Sequence, residues 1–275
     1  MKKTTSLLAA ALLLFAACDT IAPEEYTVYD GAPVSWNTSD FSPEAVQRAY
    51  VEKYTGPKCN NCPKADSTLD NAHRQFGDRL VVVSINHYTS QGIPFDGDPD
   101  MRTDGGTAWD KYFGINAIPA AYLNRNRSVQ YTGVMSNITS AIAEALQAEP
   151  EAALAVKAET QGQQVNITVD IQRFCNLASS LTLTAALIED SLVYKQVLPP
   201  PGGGIDSNYA HNHMLRHVIT SHWGRELPAN QPLLRGTLNF TPADDINLDN
   251  SHIVVFLSEK SSRQVINCAS CHIDR

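Results

Sequence analysis

The chain has 275 residues, of which 43% are hydrophobic, and a formal net charge of −8 at pH 7. This length and composition allow a substantial buried core, and we expect two compact domains. The acidic balance argues against nucleic acid or an anionic lipid surface as a partner.

The first 17 residues have the parts of a secretory signal peptide: two lysines, an apolar run over residues 7–14 and two small residues at positions 16 and 17. The apolar run is too short to span a bilayer. Cys18 follows directly, and residues 15–18 resemble the lipobox at which a bacterial lipoprotein is cleaved and acylated. We therefore expect a lipid anchor on Cys18, with ordinary secretion as the alternative.

Residues 18–39 are rich in Thr, Pro, Glu and Asp, a composition that predicts a tether between the lipid and the folded body. Lipidation and ordinary secretion both take the chain out of the cytoplasm. Export makes disulfides chemically accessible to the remaining cysteines.

Residues 40–149 alternate short apolar runs with helical patterns, which is typical of an α/β domain. The predicted strands span residues 49–54, 80–86 and 120–123, and the predicted helices span residues 63–76, 109–113 and 133–147. Cys59 and Cys62 stand before the first helix, and Ile118 and Pro119 stand before the third strand. This order is that of the thioredoxin fold.

The Cys59-x-x-Cys62 spacing at a helix N-terminus places two thiols within disulfide reach and favours thiolate at the first of them. In a redox-active pair, Cys59 would be the exposed attacking thiolate and Cys62 would resolve the mixed disulfide. A structural disulfide is the alternative. A zinc site would need two further ligands close by, so no metal is predicted here.

Residues 150–275 show a different pattern, in which apolar and polar residues alternate over short segments. The predicted strands span residues 165–172, 181–187, 233–240, 252–257 and 264–273. Strands separated by turns without helical periods predict an antiparallel β-sandwich. Three prolines followed by three glycines at positions 199–204 identify residues 194–227 as a long loop or insertion.

Three segments carry a family resemblance. Residues 114–119 are similar to the segment that holds the cis-proline of thioredoxin-like proteins, and residues 54–63 and 208–216 resemble the outer-membrane-protein-28-related lipoproteins. The resemblance implies a thioredoxin-like domain followed by an immunoglobulin-like β-sandwich, lipid-anchored at the outer membrane. It also implies that Pro119 is cis. The backbone at Ile118 and Pro119 would then lie against the two sulfurs, with Ile118 free to pair with an extended substrate.

The C-terminal cysteines allow two uses. Cys268, Cys271 and His272 spell the c-type haem attachment pattern, although the predicted terminal strand argues against a haem cofactor. Alternatively, Cys175 could form a structural disulfide with either Cys268 or Cys271, which would leave one thiol over.

Four histidines, His211, His213, His217 and His222, form a cluster along the chain. Metal binding is one hypothesis for them. Hydrogen bonding within a polar loop is the other, and we favour it because no carboxylate stands at ligand spacing.

The sequence therefore supports three functional hypotheses. The first is thiol-disulfide exchange by Cys59 and Cys62 in the cell envelope, with envelope proteins as substrates. The second is a non-catalytic binding or adhesive lipoprotein in which the same pair forms a structural disulfide. The third is an electron carrier with a c-type haem.

Overall fold

The structure is a computed structural model that describes residues 31–174 and 180–275. The predicted signal peptide, the lipidation site Cys18 and Cys175 lie outside these ranges. Within them, no helix is both long enough and apolar enough to cross a bilayer.

The first half of the chain contains a strand that precedes the predicted α/β domain, and then alternating strands and helices. These elements are β1 Ser35–Thr38, β2 Ala49–Thr55, α1 Cys62–Phe76, β3 Leu80–Asn86, α2 Asp104–Phe113, β4 Ala120–Leu123, β5 Tyr131–Thr132 and α3 Ile138–Ala145.

The second half consists of strands. These are β6 Ala152–Gln161, β7 Gln164–Arg173, β8 Leu181–Glu189, β9 Leu192–Val197, β10 Ile205–His211, β11 Met214–Val218, β12 Arg225–Glu226, β13 Leu233–Phe240, β14 Ser251–Glu259 and β15 Val265–Asp274.

Strands β3, β2, β4 and β5 lie side by side in that order, with β2 parallel to β3 and antiparallel to β4. Leu69 of α1 and Ile142 of α3 pack on one face of this sheet, while Trp109 of α2 packs on the other. Both faces are therefore covered by helices, which explains why β2 and β3 are buried along their whole length. This arrangement confirms the predicted thioredoxin-like fold.

The second half forms an antiparallel β-sandwich, as predicted. Alternate residues of β7, β8 and β14, such as Val169, Leu187 and Val255, meet in one hydrophobic core. Strand β15 connects the layers, since it pairs antiparallel with β14 along most of its length and parallel with β6 at Ile273 and Asp274. The alternation of buried and partly exposed residues along β13 reflects its place in one layer.

The two halves share one sheet. Met214 of β11 pairs with Ser84 of β3, and the Ser84 amide donates to the carbonyl of His213 at 2.7 Å. They also share a core, because Tyr50 and Trp109 of the first half pack with Phe256 of the second. The relative position of the two halves is therefore fixed by backbone pairing and by apolar burial.

A buried ion pair lies in this shared core. Arg125, which follows β4, donates from Nε to Glu52 Oε2 at 2.5 Å, and both side chains are at most 1% exposed. The guanidinium stacks 4.3 Å from the Trp109 ring centroid and 4.7 Å from that of Phe256. Tyr54 also donates to Glu52, at 2.6 Å. Glu52, Arg125 and the surrounding rings therefore form one unit built by both halves.

Two segments differ from the sequence prediction. The last residues of the predicted tether form β1, which pairs antiparallel with β13 through Ser35–Thr38. The predicted loop over residues 194–227 instead contains β9 to β12, and its proline- and glycine-rich segment is the tip of a β9–β10 hairpin closed by a Leu198 N–H to Gly204 carbonyl bond of 2.9 Å. Proline and glycine suit such a tip because they suit turns and weaken the interiors of strands.

A second group of ionisable side chains lies where α1 and β3 meet the sandwich. Asp190 accepts from His213 Nδ1 at 3.2 Å and from His252 Nε2 at 3.0 Å. The His73 ring contacts that of His213, and the His272 ring contacts that of His252. Burial alone would raise the pKa of Asp190, but the hydrogen bonds from the two histidines outweigh it and hold this pKa well below its ordinary value.

We predict that Arg125→Ala lowers the free energy of unfolding by about 3–5 kcal/mol, because it leaves the Glu52 carboxylate buried without its partner. The matched control is Arg127→Ala, since Arg127 is exposed and lies over the Tyr112 ring. The control should change stability by less than about 1 kcal/mol. Urea unfolding of both variants measures the difference, and equal effects would contradict the role given to Arg125.

We also predict a pH-dependent effect of Asp190→Asn. Because the pKa of Asp190 is depressed in the folded state, its contribution to stability is present above the unfolded-state value of about 3.9 and is lost as the pH falls below it. The variant should lose about 1–2 kcal/mol of unfolding free energy at pH 6. This difference from wild type should shrink below about pH 4; a loss that stays constant down to pH 3 would show that the carboxylate charge is not its cause.

Candidate functional site

Cys59 and Cys62 lie where the chain leaves β2 and enters α1. They are joined by a disulfide, with their Cα atoms 5.5 Å apart. Pro63 occupies the first turn of α1, where a missing N–H costs nothing. The structure thus brings the two predicted thiols together at the start of a helix.

The loop before Cys59 packs tightly against the segment that follows β3. The Lys58 amide donates to the Gln91 carbonyl at 3.1 Å. A Cβ added to Gly56 would lie 2.3 Å from the Gln91 carbonyl oxygen, and one added to Gly92 would lie 1.7 Å from that of His87. Only glycine fits at these two positions, so the close approach of backbones fixes the CxxC loop.

The Ile118–Pro119 peptide bond is cis, as predicted. Ala120, the first residue of β4, pairs with Tyr54 of β2, one residue before β2 ends at Thr55. The sheet register therefore places the cis-proline at the edge from which the CxxC loop begins. Pro119 is buried and Ile118 is half-buried.

The prediction that Cys59 is exposed is wrong. Cys59 is 1% exposed and Cys62 is 0% exposed, whereas the two asparagines between them are exposed. The β9–β10 hairpin, residues 192–211 of the second half, lies against the CxxC loop. Sequence patterns within residues 40–149 could not reveal this cover, because it comes from another part of the chain.

Gln196 makes the central contact of the hairpin with the loop. Its side-chain Nε2 donates to the carbonyl of Cys59 at 2.9 Å and lies 3.4 Å from that of Gly56. The next residue, Val197, donates its amide to the Pro57 carbonyl at 2.8 Å. Gln196 is 1% exposed. The hairpin thus binds the backbone on both sides of Lys58 and reaches Cys59 itself.

The hairpin is held by further contacts, among them the packing of Leu192 and Tyr194 with Met101 and Met214. The Tyr209 hydroxyl donates to Asp66 Oδ2 at 2.7 Å, and Lys195 Nζ donates to Asp98 Oδ1 at 3.0 Å. Hydrogen bonds from Lys195 lower the pKa of Asp98. Burial, together with the nearby Asp66 carboxylate, raises the pKa of Tyr209, which keeps its hydroxyl protonated as the donor.

Lys53 and Asp66 form an ion pair beneath this contact. Lys53 lies in β2, and Asp66 lies on α1 one turn after Cys62. Side chains four residues apart on a helix share one face, so Asp66 and Cys62 lie on the same side of α1. Sequence reasoning missed this pair, although a lysine within an otherwise buried strand was a signal that an acidic partner was needed.

The C-terminal motif does not fit a haem. Cys268 and Cys271 lie three residues apart on β15, so their side chains point to opposite faces of the strand, and Cys268 is fully buried in the core shared by the two halves. Two thioether bonds to one porphyrin need both sulfurs on one side. The structure holds both cysteines as free thiols, and burial raises the pKa of each to about 12. The bridging partner predicted for one of them, Cys175, lies outside the described residues.

The four histidines of the predicted cluster do not share one site, although His217 and His222 line the same cavity beside Asp104. His211 contacts the ring of Tyr209, His213 pairs with Asp190, and His217 stacks on Phe240. The backbone carbonyl of His222 accepts from the Trp109 indole at 2.7 Å.

The remaining candidates also lack a metal-binding arrangement. His87, a histidine of the same half as the CxxC motif, pairs with Asp110 at 2.6 Å. Over residues 31–174 and 180–275, no group of three or more histidine, cysteine or acidic side chains is placed to hold a metal ion.

Comparisons with known proteins agree with this architecture. The family described as outer membrane protein Omp28 matches residues 106–275. A probable thioredoxin from Methanothermobacter marburgensis is 31% identical over 74 residues, which are 27% of this chain and 68% of that protein.

Two solved structures have similar folds. HBP35 of Porphyromonas gingivalis aligns with a TM-score of 0.66 at 16% identity, covering 85% of this chain and 77% of the other. A structural-genomics protein from Agrobacterium tumefaciens aligns with a TM-score of 0.50 at 17% identity, covering 83% and 95%. At these identities the likeness supports the fold alone.

Proposed function

Because this chain belongs to the outer membrane protein Omp28 family, we propose that it is a lipid-anchored envelope protein whose thioredoxin-like part exchanges thiols and disulfides. The observation that carries the proposal is the Cys59–Cys62 disulfide at the start of α1, at the sheet edge that also holds the cis Ile118–Pro119 bond. The similarity to a thioredoxin supports the same chemistry.

The exchange would begin from the oxidised pair seen in the structure. A substrate thiolate attacks the Cys59 sulfur, the Cys59–Cys62 bond breaks, and Cys62 leaves as a thiolate. A second substrate thiolate then attacks the substrate sulfur of the mixed disulfide and releases Cys59. The substrate gains a disulfide and loses two electrons, which the cysteine pair takes up. The reverse sequence reduces a substrate disulfide.

The start of α1 suits the thiolate that this reaction forms at Cys59. Backbone N–H groups of the first helical turn have no partner within the helix, and they stabilise negative charge placed before it. Pro119, at the same sheet edge, is the proposed positioning residue, and Ile118 offers backbone for an extended substrate. The proposed substrates are envelope proteins with pairs of cysteines.

We predict that the wild-type protein, with dithiothreitol as reductant, accelerates the reduction of insulin at pH 7, and that Cys59→Ser abolishes this acceleration. The matched control is Cys271→Ser, which removes a free thiol that the proposed mechanism does not use and should retain the activity. Insulin precipitation measured by turbidity gives the rates. A wild-type rate no higher than that of Cys59→Ser would contradict the proposal.

Lipid anchoring at Cys18 is a separate proposal that rests on the lipobox-like residues 15–18. When the full chain is expressed in a bacterium with an outer membrane, radiolabelled palmitate should be incorporated, and the protein should sediment with membranes. Cys18→Ser should lose the label and move to the soluble periplasmic fraction. Equal labelling of both proteins would rule out Cys18 as the acylated residue.

A second candidate function is non-catalytic binding, in which the disulfide is structural. The observation that favours it is the burial of both cysteines. Differential alkylation after mild reduction separates the two functions, because a structural disulfide resists the reductant and an exchanging one is opened by it.

A further inference from the structure

We infer that the β9–β10 hairpin is a lid over the Cys59–Cys62 disulfide and that Gln196 is the residue that latches it. This inference rests on the proposed exchange function, and it describes how access of a substrate to Cys59 is regulated. The lid must open before a protein-sized substrate reaches Cys59.

The latch is a buried side-chain amide. Gln196 Nε2 donates to the Cys59 carbonyl at 2.9 Å and to the carbonyl of Val197 at 3.0 Å. An amide buried to 1% exposure needs such partners, because an unpaired one would cost about 1–3 kcal/mol. Removing the side chain therefore removes a contact that the closed hairpin makes with the reactive residue's own backbone.

The lid also forms a main-chain hydrogen bond with the loop that precedes Cys59. The Val197 amide donates to the Pro57 carbonyl at 2.8 Å, two residues before Cys59. An extended polypeptide that paired with this loop would use the same kind of main-chain bond. A substrate strand would therefore have to displace β9 from Pro57, so the lid favours extended, unfolded substrates over folded ones.

The hairpin is built so that it can move. In the described part of the chain, β9 and β10 pair with each other and form a two-stranded sheet separate from the large one. An isolated two-stranded hairpin is marginally stable in water. Val193 and Ile205 are 52% and 56% exposed, so part of its apolar surface remains unburied. The apolar contacts that oppose opening are made at the base of the hairpin, where Leu192 and Tyr194 pack with Met101 and Met214, and not at its tip.

Outside this apolar cluster, polar contacts also hold the lid. The Lys195–Asp98 ion pair is partly exposed, and such a pair contributes little in salt. The Tyr209 hydroxyl bond to Asp66 lies at the β10 end of the hairpin, toward its base. Opening at Gln196 and Val197 can therefore occur while the base of the hairpin stays attached to α1.

The test compares Gln196→Ala with Gln163→Ala, a matched change at an exposed turn glutamine. The measured quantity is the rate constant for reduction of the Cys59–Cys62 disulfide, once by a small phosphine and once by a reduced thioredoxin as a protein-sized reductant. We expect Gln196→Ala to raise the rate of reduction by thioredoxin about tenfold and to raise the rate of reduction by phosphine much less. Gln163→Ala should change neither rate. If the rates for Gln196→Ala stay within twofold of wild type with both reductants, the inference that the hairpin is a lid is contradicted.

Hydrogen exchange provides a second readout that needs no reductant. The Val197 amide should exchange faster in Gln196→Ala than in wild type, while the amides of β3 stay protected and the melting curve stays cooperative. If Gln196→Ala does not fold, Gln196→Met, which keeps the length of the side chain but cannot donate a hydrogen bond, takes its place with the same expectations. Unchanged protection of Val197 would overturn the inference.

These readouts separate the lid from the exchange function. Reduction of the disulfide and exchange of an amide are both measurable in a protein that has no insulin-reducing activity. A lid effect without such activity would contradict the proposed function alone, and activity without a lid effect would contradict this inference alone.

Discussion

The burial of Arg125 against Glu52, in a cage of rings drawn from both halves of the chain, is the interaction on which the rest of the structure depends. A buried charge is tolerated only when it is paired and enclosed, so Trp109 of α2 and Phe256 of β14 must both be in place around it. The thioredoxin-like half and the sandwich therefore complete one core. The β11–β3 pairing then continues one sheet across the junction.

This rigid junction explains how the sandwich can act on the CxxC loop. The β9–β10 hairpin leaves the sandwich between β8 and β11, and β11 is the strand that pairs with β3. The hairpin is thus anchored beside the thioredoxin-like sheet and extends to the loop that holds Cys59. The two halves are fixed relative to each other. The hydrogen bond from the Gln196 side chain to the Cys59 carbonyl, which joins the two halves, can therefore be maintained. The second half of the chain is then part of the functional site.

The secondary structure of the first half was readable from the sequence because its signals are local. The apolar runs at residues 80–86 and 120–123 match β3 and β4, and the CxxC, Pro63 and Ile118–Pro119 identified the site and its cis bond. The β9–β10 hairpin that covers Cys59 could not be predicted from the sequence. Gln196 and Tyr209 bind partners 137 and 143 residues away, and no local pattern records such a contact. The three prolines and three glycines at residues 199–204 predict a loop, and the sequence around them does not show that they form the tip of a hairpin.

The reduction potential of the Cys59–Cys62 couple tests the central claim most directly. Equilibration of the protein with defined dithiothreitol or glutathione mixtures, followed by alkylation of free thiols, gives its value. An exchanging pair should have a potential between about −270 and −120 mV, as in known thiol-disulfide oxidoreductases. A value below about −300 mV would identify a structural disulfide and contradict the account.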